Sequence, residues 1–230
     1  MKLLVLIIAH DDPIYIGMQE QWKRYMNNFD NIKCYFIKYK TDIENYAIID
    51  ESANTIYIKG KESLIPGCLD KTIKSLYYLL DKNYEFDYLL RTNLSSVWNF
   101  DILCDFIKNN KFLIAGVQGK HKLDRVHFVN FIAGSGILLH IDMCKILMNN
   151  RHLLNYNIID DVALGILLKQ YINSSLKVYL NRFEMYNYEN KPYLINKNMI
   201  QNYSHIRCKC DKKRQNTVEL MKIAINLIYN

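Results

Sequence analysis

The chain has 230 residues, half of them hydrophobic, with 18 tyrosines but only 8 glycines and 3 prolines. Such a chain can bury a substantial core in one domain over 1–230, and collagenous, low-complexity and proline-rich disordered classes are excluded. The formal charge of +7 raises the question of a nucleic-acid partner, yet the basic residues are spread along the chain. The one dense run is Arg207, Lys209, Lys212, Lys213 and Arg214. It reads first as a solvated face and second as attraction for an anionic substrate such as a sugar nucleotide; no nucleic-acid partner is expected.

Residues 3–9 are a continuous apolar run followed by His10-Asp11-Asp12. The run is too short to cross a membrane and lacks a small-residue cleavage site, so a buried first strand is expected, in a cytoplasmic protein without a transmembrane segment. The cysteines at 34, 68, 104, 144, 208 and 210 show no CxxC pair, and Cys208-x-Cys210 is too tight for the usual zinc knuckle. Reduced thiols are expected.

Met18, Trp22, Tyr25 and Met26 at helical spacing predict a helix over 17–28, with strands at 32–37 and 55–59 after it. Pro66 suits the first turn of a helix ending near Asn83. A strand at 86–90 is terminated by Arg91-Thr92-Asn93, and a helix at 100–109 and a strand at 112–117 follow. The polar, basic stretch 118–125 suits a mobile lid. Ala133-Gly134-Ser135-Gly136 reads as a glycine-bracketed turn, and 136–140 as a strand running into a helix at 143–148. A helix over 162–171, a strand at 177–180 and an amphipathic C-terminal helix complete the alternation. Strands alternating with helices predict an α/β three-layer sandwich with a mostly parallel central sheet, whose ligands gather at the carboxyl ends of the strands. Trp22, Tyr25, Tyr77 and Tyr78 read as packing residues rather than sugar platforms.

The acid pair Asp160-Asp161, ahead of an apolar helical run, carries the chemistry. A carboxylate at a helix N-terminus facing a cavity can orient or deprotonate a hydroxyl, while the competing reading makes Asp160 an N-cap and Asp161 a partner of the helix dipole.

Several segments stand in an informative order. They are Glu62-Ser63-Leu64-Ile65-Pro66-Gly67 with Lys71-Thr72-Ile73-Lys74, then Phe86-Asp87-Tyr88-Leu89-Leu90-Arg91, then Gly134-Ser135-Gly136 and Asp160-Asp161-Val162. Over about 55–210 this succession resembles the fringe and β1,3-galactosyltransferase type of GT-A glycosyltransferase, in the short unanchored form of large DNA viruses. The resemblance implies a GT-A (Rossmann-like) fold and an inverting transfer from a nucleoside-diphosphate sugar, UDP-sugar favoured, to a glycan or protein-linked hydroxyl. A viral version would work in the host cytoplasm.

The resemblance makes Asp161 the first choice for the base, with Asp160 close behind. It places His10, Lys71, Arg91, Asn93, Ser95, Gly134, Ser135, Gly136 and His205 around the donor. The family's Asp-x-Asp, which binds manganese or magnesium on the diphosphate, is replaced here by Asn93-Leu94-Ser95. Neutral oxygens serve a hard divalent cation poorly. Arg91, Lys71, Lys74 and backbone N–H groups are then candidates for the leaving-group charge, and His205 is a candidate metal or diphosphate ligand. Asp11 or Asp12 with His205 would be a way to rebuild a metal site.

Structural alternatives stand beside these roles: Arg91 as a partner of Asp87 or Asp101, Asn93 as a turn residue, the glycines as a tight turn, and His205 as a packed histidine. Loss of the metal motif also leaves open a catalytically inactive sugar-nucleotide or glycan-binding protein.

Overall fold

Residues 3–8 alternate between two apolar layers. Leu3, Val5 and Ile7 enter one core, while Leu4 and Leu6 enter the other. A strand buried on both faces demands cover on both, and helices supply it. The computed structural model describes residues 1–122, 128–211 and 213–230.

In chain order the elements are β1 (Leu3–Ile8), α1 (Pro13–Lys23), β2 (Ile32–Lys40), β3 (Ala47–Asp50), β4 (Thr55–Lys59), α2 (Gly67–Asp81), β5 (Tyr88–Asn93) and β6 (Ser96–Trp98). There follow α3 (Phe100–Asn109), β7 (Ile114–Lys122), β8 (Phe128–His140), α4 (Ile141–Asn149) and α5 (Asp160–Leu168). The chain closes with β9 (Lys177–Tyr179), β10 (Arg182–Glu184), α6 (Lys197–Ile200), β11 (His205–Arg207) and α7 (Arg214–Tyr229).

Eight strands form one sheet in the order β3-β4-β2-β1-β5-β8-β7-β9. Its left half is parallel, with β1 between β2 and β5 and β4 beyond β2; β8 runs antiparallel to both β5 and β7, and β3 is antiparallel at the edge. Helices α1, α3 and α7 cover one face through residues such as Trp22, Leu103 and Met221. Helices α2, α4 and α5 cover the other through Leu76, Leu147 and Leu167. A second sheet, β10-β11-β6, stands apart from the first. It draws residue 98 beside residue 205 and residue 207 beside residue 184.

The chain end is tied into this arrangement. Tyr229 of α7 stacks on Tyr25 at 4.9 Å, donates its hydroxyl hydrogen to the carbonyl of Trp98 and accepts from the N–H of Phe100 at 3.1 Å. Trp22 and Tyr25 are fully buried, and the Trp22 indole N–H donates to the Leu94 carbonyl at 2.9 Å. Tyr77, by contrast, is exposed, with the Arg151 guanidinium 4.6 Å over its ring.

Several boundaries differ from the sequence expectation for identifiable reasons. Asp12 caps α1 and Pro13 sits in its first turn, so that helix starts at Pro13 rather than at 17. Pro66 is the residue before α2 rather than inside its first turn. Residues 91–93 belong to β5 instead of terminating it. The expected lid at 118–125 is strand over its first part, because Gln118 to Lys122 pair with β8; residues 123–125 lie outside the described residues. Residues 133–136 are no turn but the middle of β8, with neither Gly134 nor Gly136 at positive φ.

All six cysteines are unpaired thiols. Among the described residues no helix is long and apolar enough to cross a membrane.

Candidate functional site

The ends of β1 and β5 open into a cleft with two connected lobes of about 450 and 720 Å³, which share Asn93, Arg207 and Lys209 in their walls. His10 and Lys71 belong to the first lobe, and Gly134, Asp160 and Asp161 to the second. This is the edge of an open α/β sheet at which ligands collect.

The acid pair forms one wall. Both aspartates stand in the first turn of α5, whose N-cap is Ile159, so Asp160 is a first-turn residue and not the cap. Asp160 forms an ion pair with Arg91, which is 2% exposed and also donates to the carbonyl of Gly134 and to the Asn93 side-chain oxygen at 3.2 Å. Burial lowers the pKa of Arg91 to about 10, with Asp161 among the charges opposing that shift. The partner of Arg91 is therefore neither Asp87 nor Asp101. Breaking such a buried pair from one side costs about 3–5 kcal/mol.

Asp161 is held differently. Its Oδ2 accepts from the Gly134 N–H at 2.8 Å and its Oδ1 from the Val162 N–H at 2.9 Å. Two backbone donors fix the carboxylate plane while the group still lines the larger lobe. Gly134 is glycine for close approach: a Cβ there would lie 2.9 Å from Arg91 Nη1 and 3.2 Å from Asp161 Oδ2.

The small sheet forms the facing wall. Residues two apart on a strand share a face, and the register places Arg182, His205 and Trp98 in one row and Glu184, Arg207 and Ser96 in the next. His205 is fully buried, stacks on Trp98 at 4.2 Å and shares a 3.0 Å hydrogen bond with Ser96 Oγ. Burial, then the charges of Arg182 and Arg207, hold its pKa well below 6.5, so it is neutral. The indole of Trp98 occupies the space a Cβ on Gly136 would need. Ser135 accepts from Arg182 at 2.6 Å through its hydroxyl, and from Thr92 at 2.7 Å and Ser96 at 3.2 Å through its carbonyl.

Arg207 completes this wall. It is 9% exposed, and its Nη1 donates to Ser95 Oγ at 2.8 Å and Ser96 Oγ at 3.3 Å. Burial, then Arg182, lower its pKa to about 10, which leaves it charged at neutral pH. The run 207–214 is thus no solvated face at its start, and Lys209 and Arg214 also line the cleft.

The expected donor residues divide. Asn93, Gly134, Ser135 and the half-buried His10 line the cleft. The ammonium of Lys71 is already engaged by Glu62 at 2.7 Å and by the Ala9 carbonyl at 2.8 Å. Lys74 pairs with Asp70 and lines a separate cavity beside Tyr77. Arg91 also lines the larger lobe, but it is buried and already paired with Asp160 rather than standing free at the strand end. His205 faces arginines and an indole, while Asp11 is bound to Lys38 at 2.6 Å and Asp12 caps α1.

No group of three or more His, Cys, Asp or Glu among the described residues is arranged to hold a metal ion. Moreover the Ser95 hydroxyl oxygen already accepts from the guanidinium of Arg207. These residues do not fit a divalent cation. Arg182 and Glu184 are the site residues that the element-by-element reading passed over, and Arg207, named there only within a basic run, takes a specific place on the wall. Their signal was the i, i+2 pairing in Arg182-x-Glu184 and His205-x-Arg207, visible only once both segments are known to be strands.

No family model and no curated protein matches the chain. Among solved structures it is similar to a glycosyltransferase involved in the glycosylation of the major capsid of PBCV-1, at 10% identity, 96% of this chain, 100% of the other and a TM-score of 0.52. It is also similar to the galactosyltransferase LgtC in complex with donor and acceptor sugar analogs, at 11% identity, 99% and 97% coverage and a TM-score of 0.46. The fold of this chain is that of the GT-A glycosyltransferases.

Proposed function

We propose that the protein is a glycosyltransferase that moves a sugar from a nucleoside-diphosphate donor to a hydroxyl of a glycan or protein-linked acceptor, inverting the anomeric carbon. The observation that carries this reading is the Asp161 carboxylate, aimed by two backbone N–H groups into a GT-A cleft whose opposite wall carries Arg207. In the reaction, the acceptor hydroxyl gives its proton to Asp161 and its oxygen bonds to the anomeric carbon. The bond from that carbon to the diphosphate breaks, and its electron pair leaves with the nucleoside diphosphate. Asp160, neutralised by Arg91, is a positioning residue that holds the head of α5 against β8.

The order of motifs supports the fringe and β1,3-galactosyltransferase type, and with it a UDP-sugar. The viral capsid role of one structural neighbour makes a protein-linked hydroxyl the acceptor to try first. Neutral Asn93 and Ser95 favour a second reading, an inactive sugar-nucleotide binder.

One experiment separates the two. The protein is incubated with UDP-, GDP- and CDP-sugars and a set of sugar and peptide acceptors, and released nucleoside diphosphate and the anomeric configuration of the product are measured. Transfer with inverted configuration, abolished in Asp161→Asn, is the expected result. Retained configuration removes the direct-displacement mechanism, and binding without turnover supports the inactive reading.

A further inference from the structure

Most buried arginines stand beside a carboxylate, because a desolvated charge without a counter-ion costs several kcal/mol. Arg91 obeys this rule through Asp160. Arg207 does not. The only side-chain hydrogen bonds it makes within the described residues run from Nη1 to two serine hydroxyls. The acid opposite it in register, Glu184, accepts through Oε1 from the Arg182 Nε–H at 2.5 Å, while its buried Oε2 makes no hydrogen bond and acts on Arg207 only across space. A second guanidinium, that of Arg182, adds a repulsion larger than the attraction of Glu184.

This cation sits where the two lobes meet, at the bend Asn93-Leu94-Ser95. Lys209 and Arg214 stand on the wall beside it; Lys209 is paired with Asp211 at 2.7 Å and is partly exposed. A planar guanidinium with donors to spare, with Lys209 and Arg214 beside it and no carboxylate hydrogen-bonded to it, describes a receptor for a multiply charged phosphate.

We propose that Arg207, with Lys209 and Arg214 at its rim, anchors the diphosphate of the ligand in this cleft without a divalent cation. The inference rests on the donor being a nucleoside-diphosphate sugar, and it assigns the charge that a metal would supply to a side chain on β11. The Ser95 hydroxyl then acts as the acceptor that orients the guanidinium.

The test is isothermal calorimetry with inorganic pyrophosphate, UDP and uridine, in chelator and then with manganese. Pyrophosphate and UDP should bind in chelator, and manganese should tighten neither by more than about twofold. Arg207→Met should weaken both by roughly tenfold to hundredfold, Arg207→Lys by less, and leave uridine binding unchanged. The ligand-free Arg207→Met protein should melt no lower than the wild type, because an unpaired buried charge has been removed. If Arg207→Met does not fold, the double variant Lys209→Met/Arg214→Met should still lose several-fold in pyrophosphate affinity.

Unchanged pyrophosphate binding in the folded variants, or strong mutual enhancement between manganese and UDP, overturns the proposal. Arg207-dependent binding of pyrophosphate with no binding or turnover of any nucleotide sugar would keep the anion site and overturn the transferase reading instead. Metal-dependent transfer indifferent to Arg207 would do the reverse.

Discussion

At the scale of single residues the acid pair divides into two jobs. Asp160 neutralises a buried guanidinium, while Asp161 is held by backbone donors and keeps its place on the cleft wall. Asp160→Asn should therefore act mainly on stability, lowering the unfolding free energy by about 3–5 kcal/mol in urea titrations, because Arg91 is left buried without its counter-charge. Asp161→Asn should act mainly on turnover, reducing it by about 10²- to 10⁴-fold with donor affinity nearly intact by calorimetry. Equal losses of stability in the two variants would contradict this division. The pair itself was legible in the sequence, since two acids ahead of an apolar helical run are a local signal. The partner of Asp160 was not, because Arg91 is brought to it only by the pairing of β5 with β8.

At the scale of elements the small sheet and β8 fit together through absent side chains. Gly136→Ala places a methyl against the Trp98 indole, which should cost about 1–3 kcal/mol through displacement of the packed ring and should shift tryptophan fluorescence. The same sheet confers an acid sensitivity. The pKa of His205 is held well below 6.5 by burial and two arginines. Above pH 6.5 folded and unfolded chains both carry it neutral. Below that pH the unfolded chain takes up a proton the folded one refuses, so stability falls as pH falls. Urea midpoints at pH 7.5 and 5 should converge in His205→Asn relative to the wild type; an unaltered difference would clear His205 of the effect.

Sequence patterning resolved α3 and β4 to the residue, where amphipathic spacing or β-branched content runs uninterrupted. It failed at β8, where glycines chosen for close approach look like turn residues. It failed again at β6, β10 and β11, since three residues are too few to display an alternation.

At the scale of the whole molecule the α/β layering, the buried first strand and the position of the cleft all followed from the alternation of elements. The facing wall did not, since it joins segments more than a hundred residues apart, residues 96–98 and 205–207. A ligand that bridges these walls binds only the folded state. Saturating a nucleoside diphosphate at about a hundred times its Kd should therefore stabilise the fold by about 2.7 kcal/mol, read as a rise in melting temperature. The Tyr229 hydroxyl on the Trp98 carbonyl bears on when this wall can exist at all. On a ribosome, β6 emerges early and must wait for β11 and then for the last helix before its backbone and its tryptophan are held. Every strand of the large sheet lies ahead of residue 180, whereas the facing wall needs residues 205–207 and Tyr229, so the sheet can form before the wall that grips an anion, and competence to bind substrate is acquired in a separate, later step.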